Sequence, residues 1–229
     1  GLAAPLIHLG AGALERGPRA ATRAVADALP FDDETLHAPA SRPVARVLRK
    51  PAFWLLAAGF SLLALNHGVV LSHLLPILRD RGLGAELAVF AASMIGPMQV
   101  AGRLAIMASE RHVRSSSVTT LCFLFVMGAT LCLLAVPFAP GLVVPFVILQ
   151  GAGYGTMSIM KPTMVREILG QRDFGAISGA MAVPYLAAYA LSPFLGSLLW
   201  QAGGYDLALA VVLACVLCGL VCYRLALRR

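Results

Sequence analysis

Six long apolar segments fill the chain from residue 52 onward, and they constrain its fold more than any other feature. Their predicted limits are 52–78, 86–109, 116–138, 141–164, 174–200 and 205–226. A helix of about 20 apolar residues spans the hydrocarbon core of a bilayer, where backbone groups must be hydrogen-bonded within the segment. A membrane barrel would instead need alternating strands of about ten residues, and the sequence shows none. We therefore predict an all-α membrane protein with six transmembrane helices.

The composition fits this class and argues against others. Hydrophobic residues make up 59% of the 229 residues and charged residues 13%, whereas soluble domains carry about 25% charged residues. The net charge of +7 does not indicate a nucleic-acid partner, because the basic residues lie between apolar runs and form no stripe with aromatic residues. The five cysteines lie inside apolar segments without the paired spacing of a metal site. We expect no cofactor.

The first 51 residues differ from the rest. Residues 1–14 are apolar but too short to span a bilayer, which predicts the tail of a preceding transmembrane helix. Residues 15–51 combine prolines with charges of both signs and have little to bury, which predicts a solvated linker. The six-helix domain then occupies residues 52–229.

The distribution of Lys and Arg predicts the orientation in the membrane. Fifteen lie on the side of the linker and two on the other side, with Arg103 left inside a segment. Basic residues are enriched in cytoplasmic loops, so we expect the linker and the C-terminus to face the cytoplasm. We expect an integral protein of a bacterial inner membrane.

Arg103 lies inside the second apolar segment and needs an explanation. A cation at membrane depth costs about 2.5–3.5 kcal/mol on insertion scales, so it usually faces a bundle interior or an aqueous cavity. Arginine can also bind a carboxylate through two hydrogen bonds. The alternative is that Arg103, seven residues before Glu110, extends to the cytoplasmic interface. We interpret Arg103 as a candidate substrate-binding residue.

Other polar residues in the segments are weaker candidates. Asn66 and His67 lie past the middle of the first segment, and His67 could relay a proton, although a structural histidine is the alternative. Tyr154 and Tyr185 could line a cavity with their hydroxyls or simply pack against neighbours. Lys161 falls near the predicted end of the fourth segment, so we interpret it as an interfacial anchor.

Six helices that follow a basic linker and the end of another apolar segment resemble the carboxyl-terminal half of a major facilitator superfamily transporter. The likeness is carried by this layout and by the stretches Glu110–Arg114, Gln150–Gly155, Arg166–Arg172 and Phe174–Gly179. The monocarboxylate and oxalate/formate branch is the most similar, since it has an arginine in its eighth helix, which the resemblance places at Arg103. Monocarboxylate carriers have an aspartate four residues earlier, where this chain has Gln99.

The resemblance implies a mechanism and a partner. It implies alternating access, in which this half rocks against a homologous upstream half of six helices around a solute near the midplane. It implies that the loop with Glu110, Arg111 and Arg114 acts in gating. We expect Gln99 to contribute to the substrate site beside Arg103, together with the polar residues named above. Any coupled proton would bind at His67, since no carboxylate lies at depth.

We predict a secondary active transporter of a small solute, an organic anion such as a monocarboxylate. The chain has no phosphate-binding GxxxxGK[ST] loop to drive transport with ATP. An enzyme is not expected, because every Asp and Glu lies in a loop or at a helix end and no catalytic set lies at depth. The alternatives are a carrier for another solute, such as a drug, a sugar or a cyanate-like anion, and a membrane receptor or scaffold that transports nothing.

Overall fold

A computed structural model describes residues 46–109 and 113–228. Most of these residues are helical and none is in a strand, so the predicted all-α class is confirmed. A 3₁₀ turn at Pro140–Leu142 precedes the fifth helix. The helices are α1 Pro51–Ser72, α2 Leu74–Asp80, α3 Ala85–Ser109, α4 Ser115–Ala135, α5 Val143–Leu169 and α6 Phe174–Leu227. The predicted tail at residues 1–14, nearly all of the predicted linker, and Glu110 and Arg111 lie outside the described residues.

Five helices in the described part of the chain are long and apolar enough to cross a membrane: α1, α3, α4, α5 with its preceding turn, and α6. The chain therefore has the helices of an integral membrane protein. α6 has 54 residues but leaves helical geometry at Gly203 and Gly204, where Gly204 has a φ of 74° that glycine adopts without strain. The prediction of six separate spanning helices stays a prediction.

The two parts of α6 lie beside α1 and run in opposite directions. Going along α1, the contacts are Gly59 with Gly219, Asn66 with Val212, Gly68 with Ser192, and His73 with Gly196. The first part of α6 thus advances in the direction of α1, and the second part returns against it. The chain reverses between them, at the two glycines that leave helical geometry.

Pro193 lies inside the first part of α6, and the carbonyl that it leaves without a backbone donor is still hydrogen-bonded. Proline has no N–H, so it cannot donate to the carbonyl oxygen of Tyr189 four residues earlier. The hydroxyl of Ser192 donates to that oxygen instead, at 2.6 Å. A ring nitrogen of His73, at the end of α1, lies within hydrogen-bonding distance of the carbonyl oxygen of Pro193, at 3.1 Å.

A proline also explains why the first predicted segment is two helices. The segment was predicted to run over 52–78, whereas α1 ends at Ser72 and α2 begins at Leu74. Pro76 cannot donate a hydrogen bond to the carbonyl of Ser72 and its ring crowds that carbonyl, so the helix breaks there.

The buried side chains form two apolar clusters with polar residues between them. One cluster contains the beginning of α1 and the end of α5, and the other contains the end of α1 and the beginning of α5. Asn66 and His67 on α1 and Gln150 on α5 are buried and fall between the two clusters. The polar groups are thereby held at an intermediate depth along the helices.

Candidate solute-binding site

Arg103 lies where glycines allow α3 and α5 to cross closely. A Cβ on Gly155 would be 2.4 Å from the carbonyl oxygen of Gln99, and one on Gly102 would be 2.6 Å from Cα of Ala152. Small residues permit such backbone contact between membrane helices. The Arg103 side chain consequently reaches α5, and its Nε donates a hydrogen bond to the carbonyl oxygen of Gly155 at 3.2 Å.

The Arg103 guanidinium has no acidic partner within residues 46–109 and 113–228. The ion pair found there joins Arg81 to Asp206, at 2.6 Å. Arg103 is partly buried, and its hydrogen bond is directed across the bundle to α5 and not along α3 toward the helix end. Gln99, one turn earlier on α3, is also partly buried, and its backbone lies against Gly155.

His67 is enclosed by α1 and α5. It is 2% exposed, and its ring stacks on that of Tyr154 with centroids 3.4 Å apart and planes 8° from parallel. The amide Nε2 of Gln150 lies 3.0 Å from Nδ1 of His67. An amide nitrogen only donates, so in this arrangement Nδ1 accepts and the other ring nitrogen carries the proton.

Tyrosines connect α5 to α6. The hydroxyls of Tyr154 and Tyr185 share a hydrogen bond, and Nζ of Lys161 lies 3.6 Å above the centre of the Tyr185 ring, a cation–π distance. Tyr189, one turn further along α6, has its ring centroid 6.4 Å from that of His67. We name the following residues the polar cluster: Arg103, His67, Gln150, Tyr154, Tyr185 and Lys161.

One face of α5 supplies half of the polar cluster. Polar residues recur along α5 at intervals of four, four and three positions: Gln150, Tyr154, Ser158 and Lys161. This spacing places them on one side of the helix. Sequence reasoning did not single out Gln150 as a site residue. Its spacing of four residues from Tyr154 indicated that the two share a helix face. Its contact with the buried His67 could not be read from the sequence, because His67 lies on another helix.

Asn66 is next to His67 in sequence but contacts different elements. Its Nδ2 donates to Oγ1 of Thr130 at 3.0 Å and lies 3.5 Å from the carbonyl oxygen of Val212. Its Oδ1 has no hydrogen-bond partner among the described residues. Asn66 was predicted to belong to the site, but it connects α1 to α4 and to the second part of α6 and lies outside the polar cluster.

Arg114 is the described member of the predicted gating residues. It lies at the beginning of α4, where its carbonyl oxygen accepts hydrogen bonds from the backbone N–H groups of Ser117 and Val118. Its side chain is exposed. Glu110 and Arg111 lie outside the described residues, so the gating role of this loop stays a prediction.

The chemistry of the polar cluster favours an anion. Arg103 and Lys161 are cations, and the tyrosine hydroxyls and the Gln150 amide can donate hydrogen bonds. Among the described residues there is no group of three His, Cys, Asp or Glu side chains that could hold a metal ion. The arrangement therefore provides positive charge and hydrogen-bond donors along helices that are long and apolar enough to cross a membrane.

Comparison with known proteins points to transporters. No family model matches the chain. Monocarboxylate transporter 12-B of Danio rerio is 26% identical over 162 residues, which cover 69% of this chain and 34% of that protein. Monocarboxylate transporter 12 of Xenopus laevis is 26% identical over 170 residues, which cover 70% of this chain and 36% of that protein. Both relatives are named as monocarboxylate transporters.

These relatives indicate the class of protein, a membrane transporter, and do not identify the solute that this chain would carry. The chain is distantly similar to membrane transporters of the major facilitator superfamily, to which monocarboxylate transporters belong. It spans about a third of the length of the curated relatives that it matches. Both relatives come from vertebrates, and the placement in a bacterial inner membrane stays a prediction.

Proposed function

We propose that the chain forms part of a secondary membrane carrier that moves a small organic anion, such as a monocarboxylate, by alternating access. The observation that carries this proposal is Arg103, a partly buried cation without an acidic partner in the described part of the chain. An unpaired buried cation is costly, so a ligand that neutralises it gains binding energy. The distant similarity to named monocarboxylate transporters supports the same class of solute.

The geometry of Arg103 suits a carboxylate. Its Nε bond to Gly155 is the one hydrogen bond that the guanidinium makes within the described residues. This bond orients the guanidinium and leaves its two terminal nitrogens as a fork of donors for two carboxylate oxygens.

A coupled proton, if transport uses one, would bind at His67. Gln99 stands where the resemblance puts an aspartate, so α3 offers no carboxylate beside Arg103. When Nδ1 of His67 takes up a proton it becomes a donor, and the Gln150 amide must turn to present its oxygen. That oxygen has no other partner among the described residues, so it can accept this bond.

The carrier would need a second half. We propose that this unit rocks against a homologous upstream set of six helices, with the linker and the C-terminus in the cytoplasm and the solute between the halves. The partners are then the solute, the lipid bilayer, the upstream half and a coupled proton, without a nucleic acid. We propose a carrier without enzymatic activity.

Uptake by the complete protein in proteoliposomes tests the role of Arg103. We expect Arg103→Gln to raise the KM for labelled butyrate at least about 30-fold, because loss of a buried charge pair costs about 2–5 kcal/mol. Arg103→Lys keeps the charge but loses the fork, and we expect an intermediate loss. Arg166→Gln, an exposed arginine near the end of α5, is the matched control and should transport as wild type. Wild-type affinity in Arg103→Gln would refute the proposal.

A further inference from the structure

An apolar groove lies between α3, α4 and α5, beside the loop that joins α3 to α4. Its volume is about 520 Å³, within the range of roughly 300–1,000 Å³ that is usual for ligand pockets. On α4 its lining extends from Ser117 to Phe125. These residues rise about 12 Å along the helix, and one leaflet contributes roughly 15 Å to the hydrocarbon core of a bilayer. The groove therefore has a length that suits the acyl chain of a lipid.

The lining of the groove is apolar. α4 contributes Ser117, Leu121 and Leu124, whose intervals of four and three residues place them on one face of the helix. Leu121 is 46% exposed and Leu124 is 42% exposed, so these large side chains border an open space. The small residues Gly102 on α3 and Ala152 on α5 also line it. Such a lining offers apolar surface and little that could hold a polar solute.

The groove lies on the opposite side of α5 from the polar cluster. Thr156 lines the groove, whereas Tyr154 stacks on His67. Two residues turn an α-helix by about 200°, so these two side chains leave α5 on opposite sides. The same relation holds for Ala152 in the groove and Gln150 in the polar cluster. A solute bound at the polar cluster therefore does not enter the groove, and the groove has a different occupant.

An arginine lies at the end of the groove near the start of α4. Arg114 falls between Val113 and Ser117, which both line the groove, and its side chain is exposed. Glu167 of α5 approaches the same end of α4, where its Oε1 accepts a hydrogen bond from the Ser115 hydroxyl at 2.7 Å. No ion pair joins Glu167 to Arg114 within the described ranges. The groove thus combines an apolar slot with a cation at its end.

We propose that this groove binds an acyl chain of an anionic phospholipid, with the phosphate of the headgroup bound to Arg114. α3 and α4 are each long and apolar enough to cross a membrane. Arg114 follows the end of α3 and precedes α4, so it lies at the membrane surface when both helices span. Arginine binds phosphate through two hydrogen bonds, and a basic residue at a membrane surface attracts anionic lipids. The charge and the apolar slot therefore complement the two parts of one phospholipid.

Native mass spectrometry of the complete protein in detergent tests this proposal. The probes are dioleoyl phosphatidylglycerol and dioleoyl phosphatidylcholine, which have the same chains and differ in net charge, and the measured quantity is the Kd of the first lipid to bind. We expect wild type to bind phosphatidylglycerol about fivefold more tightly, the effect of one basic residue at a membrane surface. Arg114→Gln should remove this preference by weakening phosphatidylglycerol alone. Leu121→Trp, which fills the groove, should weaken both lipids by a similar factor.

Two variants serve as matched controls. Arg79→Gln changes an exposed arginine of α2, and Leu131→Trp puts the same indole at an exposed position of α4 outside the groove lining. Both should bind the two lipids as wild type does. Leu124→Trp, on the same face as Leu121, replaces Leu121→Trp if that variant does not fold.

Three results would overturn the proposal. Equal affinities of wild type for the two lipids would remove the headgroup contact with Arg114. Unchanged affinities in a folded variant with tryptophan in the groove would remove the chain site. A wild-type dimer that this tryptophan dissociates would instead assign the groove to a second copy of the chain. Transport is not measured, so each result is independent of the proposed function.

Discussion

Replacing Gly155 by alanine tests whether the close crossing of α3 and α5 positions Arg103. A Cβ at this position would lie 2.4 Å from the carbonyl oxygen and 2.6 Å from the Cα of Gln99. Ordinary contacts are about 3.5 Å or longer, so the two backbones must separate by about 1 Å. Overpacking of this kind costs about 1–3 kcal/mol, and alanine returns about 0.5–1 kcal/mol in helix propensity. We expect a net loss of about 1–2 kcal/mol.

The same separation should weaken substrate binding. The Arg103 Nε bond to the Gly155 carbonyl measures 3.2 Å, and a shift of about 1 Å would take it beyond hydrogen-bonding distance. We expect the complete protein with Gly155→Ala to unfold at a lower temperature in detergent, by several degrees, since 1 kcal/mol corresponds to about 2–4 °C in domains of this size. We also expect its KM for butyrate to rise several-fold.

Gly128→Ala is the matched control. Gly128 lies inside α4, and a Cβ there would meet only the end of the Leu149 side chain, at the ordinary distance of 3.4 Å. We expect this variant to keep its melting temperature or to raise it slightly, and to transport as wild type. If Gly155→Ala matched Gly128→Ala in both measurements, the crossing would not position Arg103 and the reasoning would fail.

Two further predictions concern orientation and gating. A cysteine at Ser41, on a background without other cysteines, should react with an impermeant reagent only after sealed cells are opened, because the Lys and Arg distribution puts the linker in the cytoplasm; labelling from outside would reverse the orientation. Arg111→Ala should slow butyrate uptake with little change in affinity, because charge pairs at a gate bias an equilibrium between conformations; a loss of affinity as large as that of Arg103→Gln would contradict this.

The sequence predicted the helices well where hydropathy alone decides them. α3 was predicted to occupy 86–109 and occupies Ala85–Ser109, because a run of apolar residues that ends in charges has few alternatives in a bilayer. The position of Gly203 and Gly204 was likewise visible as the gap between the last two predicted segments. Both features depend on residues that are close together in the chain.

Features that depend on neighbouring helices were not predicted. The fourth segment was predicted to end at residue 164, but α5 continues to Leu169, so Lys161 lies further from the end of its helix than predicted. The first segment was predicted to run through Pro76, yet this proline breaks the helix and separates α1 from α2. Gln150 gains its role from His67 on another helix. In each case the tertiary contacts decide between two outcomes that the local sequence allows.

The hydrogen bonds around Pro193 in α6 have a mechanical consequence. The carbonyl oxygen of Tyr189, which Pro193 leaves without a backbone donor, already accepts a hydrogen bond from the Ser192 hydroxyl. The carbonyl oxygen of Pro193 lies within hydrogen-bonding distance of His73 at the end of α1. Bending the helix at Pro193 would break these hydrogen bonds, so the first part of α6 resists flexing on its own. This first part is better suited to move as a rigid lever. A displacement of the end of α1 would swing it as one piece and thereby move Tyr185 relative to α5.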